Sequence, residues 1–206
     1  QDETFSALAM TLTITGVDVH PGFATGILVN AAKLAGRVLA SLPIALSPET
    51  TSGREGFVHP VGVQADATRA VIELIVRDFD DALLDQHVAL VRSLAEEVVG
   101  SEPRARLEVE VREQYRNMRR HLDAVPEVTA AALAAIEREG IAPVRTPIRG
   151  GTDGSILSAR GLPTPNLFTG GHEYHSVREW ASVPEMAAAA AVVVHLAAVW
   201  AQRAQG

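Results

Sequence analysis

The stretch "LAMTLTIT", residues 8–15, decides how the first half of the chain folds. Apolar side chains occupy every second position and alternate with small or hydroxyl-bearing ones; they are Leu8, Met10, Leu12 and Ile14. A period of two is typical of a β-strand with one buried face and one exposed face. The stretch therefore predicts a strand, and such a strand needs a sheet beside it and an apolar layer over its buried face.

The residues that follow supply the rest of a two-layer α/β unit. From about Gly26 the apolar period lengthens to that of a helix, which runs to about Ser41 and stops at Pro43. Two strands joined by a polar turn, a second helix and a fourth strand come next, over about residues 57–65, 70–79, 84–98 and 107–111. The order is βαββαβ, and we expect a sheet-and-helix sandwich over residues 5–114.

Residues 115–206 have a different texture. We expect a helix over "PEVTAAALAAIEREG" that ends at Gly140, a short strand leading to Arg149 and a helix that starts at Thr152 or Asp153. Another short strand at "TPNLF" and a terminal helix rich in alanine and valine complete the chain. Two such βα-like units are too few for a stable doubly wound sheet, so this half is expected to be the edge of a larger α/β domain.

Composition excludes several classes of function. With 206 residues, 47% hydrophobic and 21% charged, the chain has the make-up of an ordinary soluble globular protein. The formal net charge is −7 and the basic residues form no stripe, so neither nucleic acid nor an anionic lipid surface is expected as a partner. The chain has no cysteine, which excludes disulfides, a thiol nucleophile and a thiolate zinc site.

One apolar run resembles a membrane span. It is "MAAAAAVVVHLAAVW", residues 186–200, and it contains a histidine. The run is shorter than the ~20 residues that a spanning helix needs. We expect a buried or amphipathic terminal helix and no membrane partner.

The chemistry-bearing residues concentrate near two glycine pairs, Gly150-Gly151 and Gly170-Gly171. His172 and His175 follow the second pair, three residues apart on a loop, so they do not form the helical H-E-x-x-H zinc signature. A single histidine cannot hold zinc, which takes three or four ligands. Taken alone, these histidines fit turn or surface roles as well as functional ones.

Several separated segments together resemble the peptidase T-like aminotripeptidases, dizinc exopeptidases related to glutamate carboxypeptidase and aminoacylase. The segments are "GVDVHPGFATGILVNAAKLA" from Gly16, "EGFVH" from Glu55, "IVRDFD" from Ile75, "YRNM" from Tyr115, "PIRGGTDGSILSARGLPTPNLFTGG" from Pro147 and "HSVRE" from His175. In this family a βαββαβ lid is inserted into a catalytic α/β domain. The resemblance implies that residues 5–114 are the lid and dimerisation domain and residues 115–206 are the C-terminal part of the catalytic domain.

The resemblance also implies a chemistry, namely release of the N-terminal residue from tripeptides in the cytoplasm. In such enzymes two zinc ions polarise the peptide carbonyl and generate hydroxide while a glutamate moves the proton. The last metal ligand belongs to an H-x-x-x-E pattern, which selects His175 with Glu179; Glu173 or Glu179 could hold its ring. His20 corresponds to the lid histidine that hydrogen-bonds the developing oxyanion, often in a neighbouring subunit's site. It could instead be a turn residue before Pro21.

Two arginines are candidates for binding the substrate. Arg77 and Arg149 could clamp the carboxylate at the C-terminus of a short peptide, because guanidinium binds that planar anion through two hydrogen bonds. Each has a competing interpretation as a local ion pair. Arg77 could pair with Asp78 or Asp80, and Arg149 with Asp153.

Two asparagines are weaker candidates for substrate contact. Asn30 could face the same cleft as His20 or merely cap a helix, and Asn117 lies within the "YRNM" segment. The other histidines are interpreted as surface or core residues without catalytic duty; they are His59, His87, His121 and His195.

The remaining zinc ligands and the glutamate base lie in N-terminal segments of the family that this sequence does not contain. The chain carries one of about five ligands, so weak metal binding and no hydrolysis are expected of it alone. A homodimer is expected, because lids of this kind commonly pair two subunits. Two other interpretations stay open: a free-standing module that dimerises or binds peptides without metal, and a related zinc hydrolase for dipeptides or N-acyl amino acids.

Overall fold

The computed structural model describes residues 1–204 and divides the chain into two compact units. One unit is Phe5–Arg116. The other consists of Gln1–Thr4 together with the residues from Asn117 onward. The assignment of residues 5–114 as a lid and of residues 115–206 as a catalytic segment stays a prediction.

The first unit contains a four-stranded antiparallel sheet. Its strands are β1 (Ser6–Thr15), β2 (Phe57–Ala65), β3 (Arg69–Asp78) and β4 (Arg106–Tyr115), in the order β2-β3-β1-β4. The opening stretch lies in β1, which pairs with a neighbour on each side: Leu12 is opposite Ile72 on β3 and Val109 on β4. The sheet-and-helix fold inferred from the sequence is confirmed.

Two helices, α1 (Ala31–Ser41) and α2 (Asp81–Gly100), cover one face of this sheet. The apolar residues of β1 that point to this face are buried, and Leu12 is 0% exposed. They pack with Val38 of α1 and Val91 of α2 in a single core. Each fully buried aliphatic side chain contributes ~1.5–3 kcal/mol to folding, so this alternation stabilises the whole unit.

Helix α1 begins later than the periodicity predicts. Gly26 has a φ of +72°, in the left-handed region, which interrupts a right-handed helix. The helix starts only after Asn30, whose Oδ1 accepts a hydrogen bond from the Lys33 N–H at 3.0 Å. The expected start near Gly26 is therefore wrong by about one turn, and the residues before Asn30 form a loop instead.

The second unit is mainly helical. Its elements are α3 (Arg119–Leu122), α4 (Pro126–Arg138), α5 (Asp153–Ala159), β5 (Gly171–His172), β6 (Trp180–Ala181) and α6 (Val183–Arg203). Thr152 caps α5 at the position predicted for its start, and Gly140 follows α4 with a φ of +77°. The two expected short strands do not form: Ile148 makes a single bridge to Thr4, and residues 164–168 are irregular. Each segment meets only the first residues of the chain: the Ile148 N–H donates to the Glu3 carbonyl at 2.9 Å and the Asn166 N–H donates to the Gln1 carbonyl at 2.8 Å. Isolated contacts of this kind do not make a strand.

Helix α6 is longer and more exposed than the sequence analysis expects. Only Val192 and Val199 are buried in it, while Val194 is 69% exposed and Val193 is 55% exposed. A hydrogen-bonded pair, His195 Nε2 and Glu139 Oε2 at 3.1 Å, joins it to the end of α4. By length and composition the 21-residue helix could cross a membrane, with 11% of its most apolar window buried. A core helix of a soluble protein passes the same test, so this feature alone favours neither environment.

Candidate functional site

His20 lies in the loop between β1 and α1. Pro21 presets the backbone of a one-turn 3-10 helix, Pro21–Phe23, and His20 caps it by accepting a hydrogen bond from the Gly22 N–H to Nδ1 at 3.1 Å. The His20 side chain is exposed. His20 therefore caps the turn and also keeps its imidazole exposed to solvent. Its hydrogen bond to a developing oxyanion stays a prediction.

The loop that carries His20 is held to the rest of the unit by Arg104. Its Nη1 donates to the carbonyl oxygens of Gly26 and Ile27 at 3.1 and 2.9 Å. Its Nε and Nη2 both donate to the Glu102 carboxylate at 2.9 Å. These bonds from Arg104 lower the pKa of Glu102, and the same contact raises the pKa of Arg104. The guanidinium thus stays charged and braces the loop.

Asn30 acts first as the cap of α1, because its side-chain oxygen is taken by the Lys33 N–H. Its side-chain NH2 is the group that could still contact a substrate. The capping interpretation is what the structure supports directly, and substrate contact stays a prediction.

Arg77 is a cation without a carboxylate partner among the described residues. Its guanidinium carbon lies 6.0 Å from the centre of the Phe57 ring and 5.9 Å from that of Tyr115, and its buried Nε has no hydrogen-bond partner in residues 1–204. The two neighbouring carboxylates are engaged elsewhere. Asp78 contacts His87 Nε2 at 2.9 Å, and Asp80 caps α2. The ion pairs of Arg77 with Asp78 or Asp80 that the sequence allows are therefore not formed among the described residues.

Tyr115 is a further candidate that the sequence analysis missed. Its hydroxyl oxygen is buried, and within the described part of the chain it has no hydrogen-bond partner. Burial raises the pKa of Tyr115, an effect that the charge of Arg77 partly offsets. Buried polar atoms are normally hydrogen-bonded, so the unsatisfied Tyr115 hydroxyl and Arg77 Nε make these two residues candidates for a polar contact. Only strand register could reveal the pair, because Ala7 of β1 lies between Arg77 and Tyr115.

His175 sits at the tip of the small hairpin formed by β5 and β6. It is exposed and has a φ of +64°, which is uncommon for a residue other than glycine. Glu179 accepts a hydrogen bond from the His175 backbone N–H at 3.0 Å, while Glu173 pairs with Arg178 at 3.1 Å. Neither glutamate holds the imidazole, which corrects the role considered for them. Glu179 instead stabilises the backbone from which the ring projects.

The base of this hairpin is well organised. The His172 ring stacks on Trp180, with centres 4.1 Å apart and an angle of 12° between planes. Its Nε2 contacts Glu185 Oε2 at 2.6 Å. The Ser182 N–H donates to the Gly170 carbonyl at 2.8 Å and closes the loop. His172 therefore supports the hairpin, whereas the imidazole of His175 makes no hydrogen bond or ion pair with residues 1–204.

Arg149 and Asn117 belong to the same unit as His175. Arg149 is half-buried and follows Ile148, whose N–H donates to the Glu3 carbonyl at 2.9 Å. The side-chain oxygen of Asn117 accepts from the backbone N–H groups of Thr4 and Arg119 at 3.3 and 3.0 Å. Asn117 thus organises the start of α3, and its contact with a substrate stays a prediction. The carboxylate-binding role of Arg149 stays a prediction.

The described residues do not by themselves fit a two-metal centre. Within residues 1–204 no group of three or more histidines and carboxylates is arranged to hold a metal ion. His175 is an isolated imidazole, and one ligand gives weak and unselective binding. Any metal chemistry would need ligands from outside this chain.

Comparison with known proteins matches both halves of the chain. The domain family described as peptidase dimerisation domain matches residues 3–102. A peptidase T from Shouchella clausii (strain KSM-K16) is 42% identical over 205 residues, which cover 100% of this chain and 50% of that protein. The chain therefore spans about half the length of the curated relatives it matches.

Solved structures share the fold. An aminopeptidase PepT from Bacillus cereus ATCC 10987 has a TM-score of 0.74 and 21% identity, and the matched region covers 95% of this chain and 52% of the PepT chain. A tripeptidase from Staphylococcus aureus subsp. aureus Mu50 has a TM-score of 0.75 and 17% identity, with 95% and 52% covered. A dinuclear metal-binding peptidase of the M20 family from Bacillus subtilis has a TM-score of 0.60 and 17% identity, with 94% and 49% covered.

The identity to peptidase T extends beyond the dimerisation domain. The matched region includes the glycine pairs and the hairpin of His175, since the match covers the whole chain. The resemblance inferred from separated segments is thereby confirmed. The chain is therefore similar, along its whole length, to about half of a peptidase T, and its residues 3–102 match the peptidase dimerisation domain.

Proposed function

We propose that this chain is the lid and C-terminal catalytic segment of a zinc-dependent aminopeptidase that releases the N-terminal residue from tripeptides in the cytoplasm. The observation that carries the proposal is Arg77, a half-buried cation near two aromatic rings with no carboxylate partner in the described residues. The names of the relatives supply the reaction class, since they are peptidase T proteins and a tripeptidase.

The surroundings of Arg77 suit the free C-terminus of a short peptide. A guanidinium binds a carboxylate through two parallel hydrogen bonds. The Phe57 and Tyr115 rings lie 6.0 and 5.9 Å from its central carbon. Tyr115 adds a hydroxyl that can donate to the same anion. If Arg77 holds the C-terminal carboxylate at a fixed distance from the reacting centre, only a peptide of one length can place its N-terminal peptide bond there. A tripeptidase requires this selection by length.

His20 and His175 have separate duties in this proposal. His20, on its braced and exposed loop, donates a hydrogen bond to the carbonyl oxygen that gains negative charge. His175 contributes one of the ligands of a metal centre whose other ligands come from the remainder of the complete protein. The dinuclear metal-binding peptidase that shares the fold supports two ions, and zinc is the proposed identity. Metal analysis of the complete protein tests both points: a preparation active after exhaustive metal removal would contradict them.

The dimerisation domain supports a homodimer. The sheet has two edges, β2 and β4, and β2 contains Pro60 and a shift of register between Pro60 and Gly62. Proline and such irregularities disfavour pairing at an edge. Strand β4 spans ten residues without proline, and a groove of about 310 Å³ separates it from the end of α2. The proposed dimer therefore pairs the β4 edges of two copies.

The exposed apolar face of α6 also fits the proposal. A run of alanine and valine lets another helix or a sheet approach closely, and relatives of twice this length have the additional chain to cover it. The proposed cover for this face is the remainder of the same polypeptide, not a membrane. Association of the purified complete protein with lipid vesicles would contradict this.

The experiment that tests the proposed function compares two substrates in the complete protein. One is an alanine tripeptide with a free C-terminal carboxylate, and the other is the same tripeptide with an amidated C-terminus. Arg77→Ala is expected to lower kcat/KM for the free acid about 10- to 100-fold, because it removes a charge-assisted bond, and to change little for the amide. Arg69→Ala, which removes an exposed arginine at the start of the same strand, is the matched control and should leave both unchanged.

An equal loss for both substrates would contradict carboxylate recognition by Arg77. Binding of peptides without cleavage would favour the dimerisation or peptide-binding module. Faster cleavage of dipeptides or N-acyl amino acids than of tripeptides would favour the related hydrolase.

A further inference from the structure

We infer that the backbone amide of Gly22 holds His20 as the neutral tautomer that carries its proton on Nε2, so that this histidine meets a ligand as a hydrogen-bond donor. The tautomer follows from the turn itself. Its consequence for catalysis rests on the role proposed above for His20, and the two are tested by separate measurements.

The assignment depends on one hydrogen bond whose direction is unambiguous. The Gly22 N–H lies 3.1 Å from His20 Nδ1, and a backbone N–H can only donate. Nδ1 must therefore present its lone pair. A neutral imidazole has one N–H and one lone pair, so the proton is on Nε2. The opposite tautomer would bring two N–H groups together and lose the bond.

The residues of the turn are those that this arrangement requires. Pro21 presets the backbone φ of the first helical position, and the next residue brings its N–H back toward the cap. A Cβ at position 22 would lie 3.1 Å from His20 Nδ1 and 3.2 Å from Cε1, closer than an ordinary contact. Glycine is thus the residue that lets the ring lie over this amide. Phe23 flanks the ring, with centres 5.5 Å apart.

The other nitrogen of the ring is available to a ligand. His20 is exposed, and its Nε2 has no hydrogen-bond partner in the part of the chain that the structure describes. The brace from Arg104 to the carbonyls of Gly26 and Ile27 restrains the loop that carries it. The turn thereby presents a single neutral N–H at a restrained position.

This protonation form decides what His20 can do. An Nε2–H donates to an oxygen that gains negative charge, which matches the oxyanion role. A general base or a metal ligand needs the Nε2 lone pair, and the intact turn places the proton there instead. Gly22 is accordingly a positioning residue that acts through its amide, and His20 is a donor rather than a base.

The tautomer can be measured directly on this chain labelled with ¹⁵N at histidine. Long-range ¹H–¹⁵N correlation spectra at about pH 8.5, where an imidazole is neutral, distinguish a protonated Nε2 from a protonated Nδ1. We expect the Nε2–H pattern for His20, together with a coupling across the hydrogen bond between Gly22 N and Nδ1. A predominant Nδ1–H pattern in the unsubstituted chain would overturn the inference without the need for any variant.

Two substitutions test the cause. Gly22→Pro removes the donor, and Gly22→Ala presses a methyl group on the ring; each should shift the tautomer ratio of His20 away from Nε2–H by about 2- to 10-fold. Gly36→Ala is the matched control, since a Cβ there contacts nothing within 4 Å. Ratios that match the control in both Gly22 variants would overturn the role of the amide.

The catalytic consequence is measured in the complete protein. Gly22→Ala should lower kcat for a tripeptide about 3- to 10-fold, within the loss of ~10²- to 10³-fold expected for His20→Ala, while KM and metal content stay unchanged. If His20→Ala leaves kcat unchanged, the oxyanion role fails even where the tautomer is confirmed. If His20→Ala lowers kcat but Gly22→Ala does not, the positioning role of Gly22 fails and the oxyanion role stands.

Discussion

The bond between the Glu179 carboxylate and the His175 backbone amide can be tested by removing the carboxylate. Glu179→Ala eliminates the acceptor that lies 3.0 Å from this amide. The complete protein then keeps every proposed metal ligand but loses the group that stabilises the left-handed backbone at His175. We expect weaker metal binding, because the imidazole is no longer held in one place.

The size of the effect follows from two opposing terms. A left-handed backbone costs a residue with a side chain ~1–2 kcal/mol. A hydrogen bond to a charged acceptor contributes about 1.5–3 kcal/mol, and the lower end applies because both residues are exposed. With the bond present, the two terms nearly balance. Without it, nothing offsets the cost of the left-handed backbone, so His175 gains about 1.4 kcal/mol by leaving the conformation that presents its ring to the metal. This free energy corresponds to a tenfold change in the binding constant. Loss of supporting groups at metal sites weakens binding by about 10- to 100-fold, in agreement with this value.

The assay is competition for zinc between the complete protein and a chromophoric chelator. Glu179→Ala should weaken binding about tenfold, and Glu179→Gln, which keeps an acceptor oxygen, should recover most of it. Arg178→Ala is the matched control, since it breaks the neighbouring pair with Glu173 and leaves the His175 amide bonded. Equal affinities in Glu179→Ala and Arg178→Ala would refute the reasoning.

Two further predictions concern the first unit. Val111→Pro in β4 should shift the complete protein from dimer to monomer in sedimentation experiments, whereas Gln64→Pro in β2 should not; dimers in both variants would contradict the β4 interface. Asp66 accepts hydrogen bonds from the backbone N–H groups of Arg69 and Thr68, which lower its pKa. Because the folded pKa lies below the unfolded one, its contribution is complete above about pH 4 and is lost as the pH falls through the folded value. The free energy of unfolding, measured with urea between neutral pH and about pH 3, should lose this contribution in the unsubstituted chain and keep its value in this respect in Asp66→Asn. Parallel pH dependences of the two unfolding free energies would contradict the role of Asp66.

Local sequence pattern predicted most elements of the fold correctly. The alternation in "LAMTLTIT" and the helical period around Val38 and Val91 specify elements through neighbours a few residues away, and the structure places all of them in one core. The pattern failed where an element depends on a distant partner. The segments near Ile148 and over residues 164–168 have strand-like sequences, but among the described residues they meet only the short stretch at residues 1–4, through isolated contacts. Helix α6 was recognised, yet its exposed face could not be inferred from its composition.

The candidate site divides in the same way. His20, Arg77 and His175 are candidates because each stands in a motif that short sequence segments reveal. The sequence does not reveal Tyr115 as a neighbour of Arg77, and it pairs Glu179 with His175 without showing how the two interact. Tyr115 approaches Arg77 only because β1 pairs with both β3 and β4, and Glu179 acts on a backbone amide instead of on a ring.

The sequence by itself determined the order of strands and helices in the first unit, the resemblance to peptidase T and the candidate side chains of the site, since these depend on residue type and short-range spacing. The tertiary structure decided which of those side chains are satisfied and which are left available. Asp78 and Asp80 lie one and three residues after Arg77 in sequence yet bind elsewhere, and a glycine amide selects the proton position of His20. Hydrogen bonds depend on distance and direction in three dimensions, and sequence proximity specifies neither.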